Sequence, residues 1–171
     1  MANYAGENLM QVFGFAGWSG SGKTTLIEQL IALFVADGIR VATIKHTHHD
    51  FDLDHPGKDS WRHREAGATE VLLASGRRWA LLHELGEAPE PDLATLLSKL
   101  APCDVVLIEG CKFADVPKLE VYRAALGKPV LHGADNAIIA VVTDSAVQTE
   151  LPCLDLNQPQ LVYEFLKAKC L

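Results

Sequence analysis

Long hydrophobic runs are missing from this 171-residue chain. No stretch approaches the ~18 consecutive apolar residues of a membrane-spanning helix, so no span and no membrane partner is expected. A basic, then apolar leader is missing too. Met1–Met10 hold no lysine or arginine and do not read as a secretory signal. Cysteine is sparse: Cys103, Cys111, Cys153 and Cys170 form no C-x-x-C pair, which excludes the common zinc and dithiol signatures. A chain of this size needs no disulfide staples, and a reducing cytoplasm is the expected location. Positive charge is in deficit, 15 Lys and Arg against 22 Asp and Glu, for a net charge of −7. That excludes non-specific grip on nucleic acid or an anionic membrane. Internal repeats and low-complexity linkers are absent. What remains is an ordinary globular balance, 49% apolar and 22% charged, at a length suited to one core.

Against this plain background one segment stands out. Gly17-Trp18-Ser19-Gly20-Ser21-Gly22-Lys23-Thr24-Thr25 fits G-x-x-x-x-G-K-[ST], the phosphate-binding P-loop. Each part has its own task. Glycines let main-chain N–H groups approach phosphate oxygens. The Lys23 ammonium reaches the terminal phosphates, and the Thr24 hydroxyl can ligate Mg²⁺. A helix starting near Lys23 turns its positive dipole end toward the same anion. The flanks agree: Gln11–Ala16 reads as a buried strand, and Thr24–Asp37 as a helix with Leu26, Leu30, Leu33 and Phe34 on one face, stopped by Gly38.

Further along, elements alternate as in α/β proteins. Strands are expected at Arg40–Lys45, Glu70–Ala74, Arg78–His83, Asp104–Glu109, Lys118–Tyr122 and Ala137–Val142, with Glu70–Ala74 and Arg78–His83 forming a hairpin. Helices are expected at Trp61–Ala66 with Ser60 as cap, at Asp92–Leu100, and at Gln158–Lys169. The fold class is a P-loop NTPase-type three-layer α/β/α with a mostly parallel central sheet plus a β-hairpin extension. Residues 1–9 are expected as an N-terminal extension, and 10–171 as a single nucleotide-binding domain.

Two acids end hydrophobic strands. In Val105-Val106-Leu107-Ile108-Glu109-Gly110 the acid emerges at the carboxyl edge of the sheet, where ligands bind in open α/β folds. Glu109 is therefore the expected metal-site acid, beside Thr24. In Val141-Val142-Thr143-Asp144 the acid could accept hydrogen bonds from guanine N1 and its amino group. The companion pattern Asn-Lys-x-Asp is absent, so Asp144 reads more readily as a strand-ending turn residue. The polar stretch from Lys45 through His46, His48, His49, Asp50, Asp52 and Asp54 matches no zinc spacing. It holds a transition metal, contacts Mg²⁺, its waters and a substrate, or is a plain solvated loop; contact with nucleotide or substrate is the preferred reading, with Asp50 the preferred water-orienting residue and Asp59 in Pro56-Gly57-Lys58-Asp59-Ser60 the other. Arg62 and Arg64 bind an anion or solvate a helix, and Glu120 and Arg123 are a candidate internal ion pair.

Taken together, the P-loop, Lys45-His46-Thr47-His48-His49-Asp50, the Gly57-Lys58-Asp59-Ser60 block, Arg78-Trp79-Ala80-Leu81 and Ile108-Glu109-Gly110-Cys111-Lys112 resemble the MobB family of molybdopterin-guanine dinucleotide biosynthesis adaptors. The likeness runs from about Met10 to Asp144, with Cys111 standing where an aromatic residue is common. It implies GTP and Mg²⁺ as cofactors, weak hydrolysis, and a homodimer formed by sheet extension. It also implies a separate guanylyltransferase as partner, with direct contact to molybdopterin left open. The nucleotide-binding residues carry over onto Gly17–Thr25 and the strand-end acid onto Glu109. The apolar hairpin, which would otherwise expose an edge, suits the dimer. Two other readings share these residues: a small-molecule kinase, and a GTP-dependent metallochaperone suggested by His46, His48 and His49.

Overall fold

The structure, a computed structural model, describes residues 10–47, 51–110 and 114–170; the expected extension at residues 1–9 lies outside them. The described chain forms two compact units, one from Met1–His46 with Leu93–Leu171 and one from Thr47–Asp92.

The larger unit is built on six strands: β1 (Gln11–Ala16), β2 (Val41–Lys45), β5 (Val105–Glu109), β6 (Lys118–Tyr122), β7 (Ile138–Thr143) and β8 (Cys153–Asp155). They lie in the order β2-β5-β1-β6-β7-β8. Every neighbouring pair is parallel, so the expected mostly parallel sheet is wholly parallel. The chain runs from β1 to one side for β2 and β5, then to the other for β6, β7 and β8. A crevice is thereby expected at the carboxyl end of β1.

Residue alternation sends the two faces of the sheet to different cores. Phe13 and Phe15 of β1 and Val105 and Leu107 of β5 pack with α1 (Lys23–Ala36) and α4 (Pro159–Cys170), which bury Leu26, Ile27, Leu30, Phe34, Val162, Tyr163 and Leu166. Phe34 and Tyr163 meet edge to face at 4.9 Å. Burying each such side chain contributes about 1.5–3 kcal/mol. Helix α1 stops as a Schellman motif: Gly38 N–H donates to the Val35 carbonyl and Ile39 N–H to that of Phe34. Val12, Val106 and Ile108 face the other way, onto Leu97 of the short helix α3 (Leu93–Ser98). The expected helix to Leu100 ends early because Lys99 and Leu100 bond three residues back, in tightened turns.

Beyond α3 the same face of β6 carries charge rather than hydrocarbon. Lys118 and Glu120 are both buried. Lys118 Nζ pairs with Asp135 at 2.8 Å, and the Glu120 carboxylate accepts from Leu131 N, His132 N and His132 Nδ1. The expected Glu120–Arg123 pair is thus not formed. Successive side chains of a strand point to opposite faces, and Glu120 turns under the Leu131–His132 segment, while Arg123 lies just beyond the end of β6.

In the smaller unit, α2 (Asp59–Glu65) precedes the antiparallel hairpin of β3 (Glu70–Ala74) and β4 (Trp79–His83). Arg78 falls in the hairpin loop, where its carbonyl accepts from Ser75. Ser60 is not the helix cap; Lys58 holds that position, and the Ser60 hydroxyl donates to Asp54. Arg64 is drawn into carboxylates of its own unit, Asp52 and Glu84. These hydrogen bonds hold its guanidinium well above the ordinary arginine range. Its role in this structure is to tie loop to hairpin, not to solvate a helix.

Candidate functional site

At the carboxyl end of β1 the chain doubles back on itself through Gly17–Gly22 and enters α1 at Lys23. The turn is possible because Gly17 has φ 149° and lies where a Cβ would stand 2.5 Å from the Val121 carbonyl oxygen. Any larger residue would push the loop off β6. The first turn of α1 has no acidic residue and no side-chain cap. Its orphan N–H donors and positive dipole end therefore suit an external anion. Lys23 folds back over the loop, its Nζ donating to the carbonyls of Gly17 and Trp18 at 2.9 Å each. That clamp holds an ammonium at the loop's own rim. Ser19 and Gly20 are exposed, whereas Ser21 is buried with its hydroxyl turned beneath Gly17. Ser21 can thus offer an anion its main chain but not its side chain. Trp18 turns its indole N–H to the Pro129 carbonyl at 2.8 Å.

Glu109 ends β5, the strand beside β1, and the register sets it level with Phe15 and Lys45. The chain leaves it through Gly110, φ 87°, where a Cβ would stand 2.6 Å from the His46 carbonyl oxygen. Thr24, one residue into α1, donates its hydroxyl to Glu109 Oε1 at 2.8 Å. Two hard oxygen donors of this kind suit a small divalent cation. Lys45 Nζ lies 3.7 Å from the other carboxylate oxygen. The loop, the ammonium and the hydroxyl–carboxylate pair together fit a phosphate chain with an associated metal ion.

Asp144 follows β7 and is held by an ion pair, Arg123 Nη1 to Oδ2 at 2.6 Å. Arg123 Nε also donates to the Ser21 carbonyl, so a single side chain joins Asp144 to the loop. Sequence reasoning missed this link because it needs β6 and β7 to be neighbours, which residue patterns do not reveal. The partnership of Lys45 with Glu109 was missed for the same reason. Asp59 is the exposed first residue of α2, in the smaller unit. His48, His49, Asp50 and Cys111 lie outside the described residues. Among the described residues no group of three or more His, Cys, Asp or Glu could hold a metal ion. In the same residues no helix is long and apolar enough to cross a membrane, and Cys103, Cys153 and Cys170 are free.

The family model for molybdopterin guanine dinucleotide synthesis protein B matches residues 12–144, from β1 through Asp144. The chain belongs to the MobB family. It is 40% identical over 165 residues to the molybdopterin-guanine dinucleotide biosynthesis adapter protein of Escherichia coli (strain K12), covering 95% of this chain and 94% of that protein. It is 38% identical to the protein of that name in Haemophilus influenzae, over 94% and 90% of the two chains. Among solved structures, one of molybdopterin-guanine biosynthesis protein B superposes with a TM-score of 0.74 at 27% identity, over 93% of this chain and 98% of that one. A MobB homolog from Bacillus stearothermophilus gives 0.66 at 25%, over 93% and 97%. MobB membership therefore extends to the whole architecture, and the match spans the loop, Glu109 and Asp144 alike.

Proposed function

We propose that this protein is a GTP-binding adaptor in molybdopterin guanine dinucleotide biosynthesis, assisting a guanylyltransferase. The observation that carries the reading is the hydrogen bond from Thr24 to Glu109 beside a lysine-clamped glycine loop, in a chain of the MobB family. The loop N–H groups and Lys23 receive the triphosphate. Thr24 and Glu109 hold Mg²⁺, directly or through water, and that ion would neutralise charge on the phosphates. Asp50 or Asp59 orients a water for slow hydrolysis. No charged pair among the described loop residues resembles a strong base, so turnover is weak and rests on positioning.

The protein works in the cytoplasm as a homodimer joined through the β3–β4 hairpin, whose Leu72, Leu73, Trp79 and Leu81 are exposed. Contact with the guanylyltransferase, and with molybdopterin itself, belongs to the same proposal; its support is the name borne by the Escherichia coli and Haemophilus influenzae relatives. The test is calorimetric titration with GTP and with ATP in Mg²⁺, on the wild type and on Lys23→Ala. Tighter binding of GTP, lost in the variant, is expected. Absence of heat with either nucleotide, or an unchanged Lys23→Ala variant, would overturn the reading.

A further inference from the structure

Arg123 directly follows β6 and engages two groups at once. Its Nε donates to the Ser21 carbonyl at 3.1 Å, and its Nη1 to Asp144 at 2.6 Å. Gly22 passes beside the same guanidinium, at a distance where a Cβ would make ordinary contact, 3.5 Å from Nη2. With Gly22, Thr25, Gln29 and Asn157, Arg123 lines a cleft of about 210 Å³ along the first turns of α1. Sites that enclose a whole small ligand usually measure ~300–1,000 Å³. This cleft therefore suits one portion of a ligand whose remainder lies along the loop.

Asp144 is the acid suited to accept the two N–H groups on the edge of guanine, yet a cation already occupies it. A bare carboxylate beside a phosphate site would repel the ligand; the guanidinium cancels that charge. The same guanidinium, already touching the loop, has the fork geometry that binds phosphate oxygens. Entry of a nucleotide offers both partners of the pair a replacement. Adenine has no N–H at N1 and would leave the vacated, solvent-exposed carboxylate to water, without the two hydrogen bonds that guanine supplies.

Resting on the nucleotide reading above, we propose that Arg123 is a specificity-determining residue that exchanges partners: its guanidinium passes from Asp144 to a phosphate oxygen, and the freed carboxylate accepts the N1–H and amino group of guanine. Phosphate grip and base choice are thereby coupled through one side chain. With ATP only the phosphate half of the exchange is made, so ATP gains less than GTP.

The experiment measures binding of GTP, ATP and inorganic triphosphate by calorimetry in Mg²⁺, and of guanosine by NMR, for the wild type, Arg123→Gln and Asp144→Asn. Arg123→Gln should weaken GTP and inorganic triphosphate on the order of tenfold, the size of one charge-assisted hydrogen bond. It should bind guanosine more tightly than the wild type, because Asp144 is unmasked; a merely structural arginine would not move guanosine in that direction. Asp144→Asn should bring the GTP-to-ATP affinity ratio close to one. Guanosine binding that is undetectable, unchanged or weaker in Arg123→Gln overturns the exchange, as does a retained ratio in Asp144→Asn. Should Arg123→Gln fail to fold, the ratio in Asp144→Asn decides alone. Failure of the wild type to bind inorganic triphosphate would instead strike the nucleotide reading.

Discussion

The hydroxyl of Thr24 and the carboxylate of Glu109 meet at 2.8 Å although 85 residues separate them in the chain. The contact exists because β5 lies beside β1 and both strands end at the same level. Lys45, across the sheet edge, competes for the same carboxylate from 3.7 Å. Its side chain is 65% exposed, and exposed ion pairs contribute only ~0–1 kcal/mol. A divalent cation at the proposed site would therefore displace it readily. Glu109→Gln is expected to lower Mg²⁺ affinity about tenfold or more, at least the loss seen when even an outer partner of a metal site is removed. Lys45→Met should raise it by less than about fivefold, the ceiling set by an exposed pair. Titrations of nucleotide binding against Mg²⁺ concentration would check both. Equal Mg²⁺ dependence in wild type and Glu109→Gln would remove Glu109 from the metal site.

Glu120 is 1% exposed and accepts three hydrogen bonds from Leu131 and His132. Truncation would leave two main-chain N–H groups and an imidazole without their acceptor. Glu120→Ala should destabilise the protein by about 3 kcal/mol or more, since each buried donor left without its acceptor costs ~1–3 kcal/mol. Glu120→Gln, whose amide oxygen still accepts, should cost less. Urea unfolding followed by circular dichroism would show the midpoints falling in that order; an Ala variant as stable as the wild type would contradict the described network.

The case of Glu120 shows where sequence legibility ends. Strand–loop–helix around Lys23 is local, so residue types and spacing disclose it, and Glu109 is exposed as a candidate by the apolar run before it. The hairpin is local too. Partners across the sheet are not: Asp144 with Arg123, and Glu120 with His132 rather than Arg123, depend on the order β1-β6-β7. The three residues of β8, between Pro152 and Leu156, are too few to show a period of two. Serine is often a helix cap, but Asp54 offers the Ser60 hydroxyl a charged acceptor, and the helix starts two residues earlier than a Ser60 cap would allow.

Acid should weaken the contact where β2 and β5 begin. Arg40 binds Asp104 through its main chain and its guanidinium. Hydrogen bonds from Arg40 hold the Asp104 carboxyl down from 3.8 to about 2. A carboxyl depressed in the folded state adds stability above its unfolded pKa and loses it as pH falls through the folded one. The contribution of Asp104 is therefore complete above about pH 4 and vanishes toward pH 2. In Arg40→Gln, NMR titration should find the Asp104 carboxyl moved back toward 3.8. The stability gap between variant and wild type, clear at pH 5, should narrow on approach to pH 2. A wild-type Asp104 that titrates near 3.8 would refute this account.

The hairpin β3–β4 leaves Leu72 and Trp79 62% and 67% exposed. Two strands alone are marginal in water, and an apolar pair of unpaired edges invites another copy of the same strand. If the proposed homodimer forms here, charge placed on this face must oppose it, since like charges would be buried across the two-fold axis. Leu72→Glu together with Trp79→Glu should convert the dimer to monomer, read as a halved mass in light scattering at a fixed protein concentration. The glycine loop, Thr24 and Glu109 belong to the larger unit, so nucleotide binding by the monomeric variant should remain within about threefold of the wild type, a change below ~1 kcal/mol. A double variant that stays dimeric would move the interface elsewhere on the molecule, and a wild type that runs as a monomer would remove the dimer altogether.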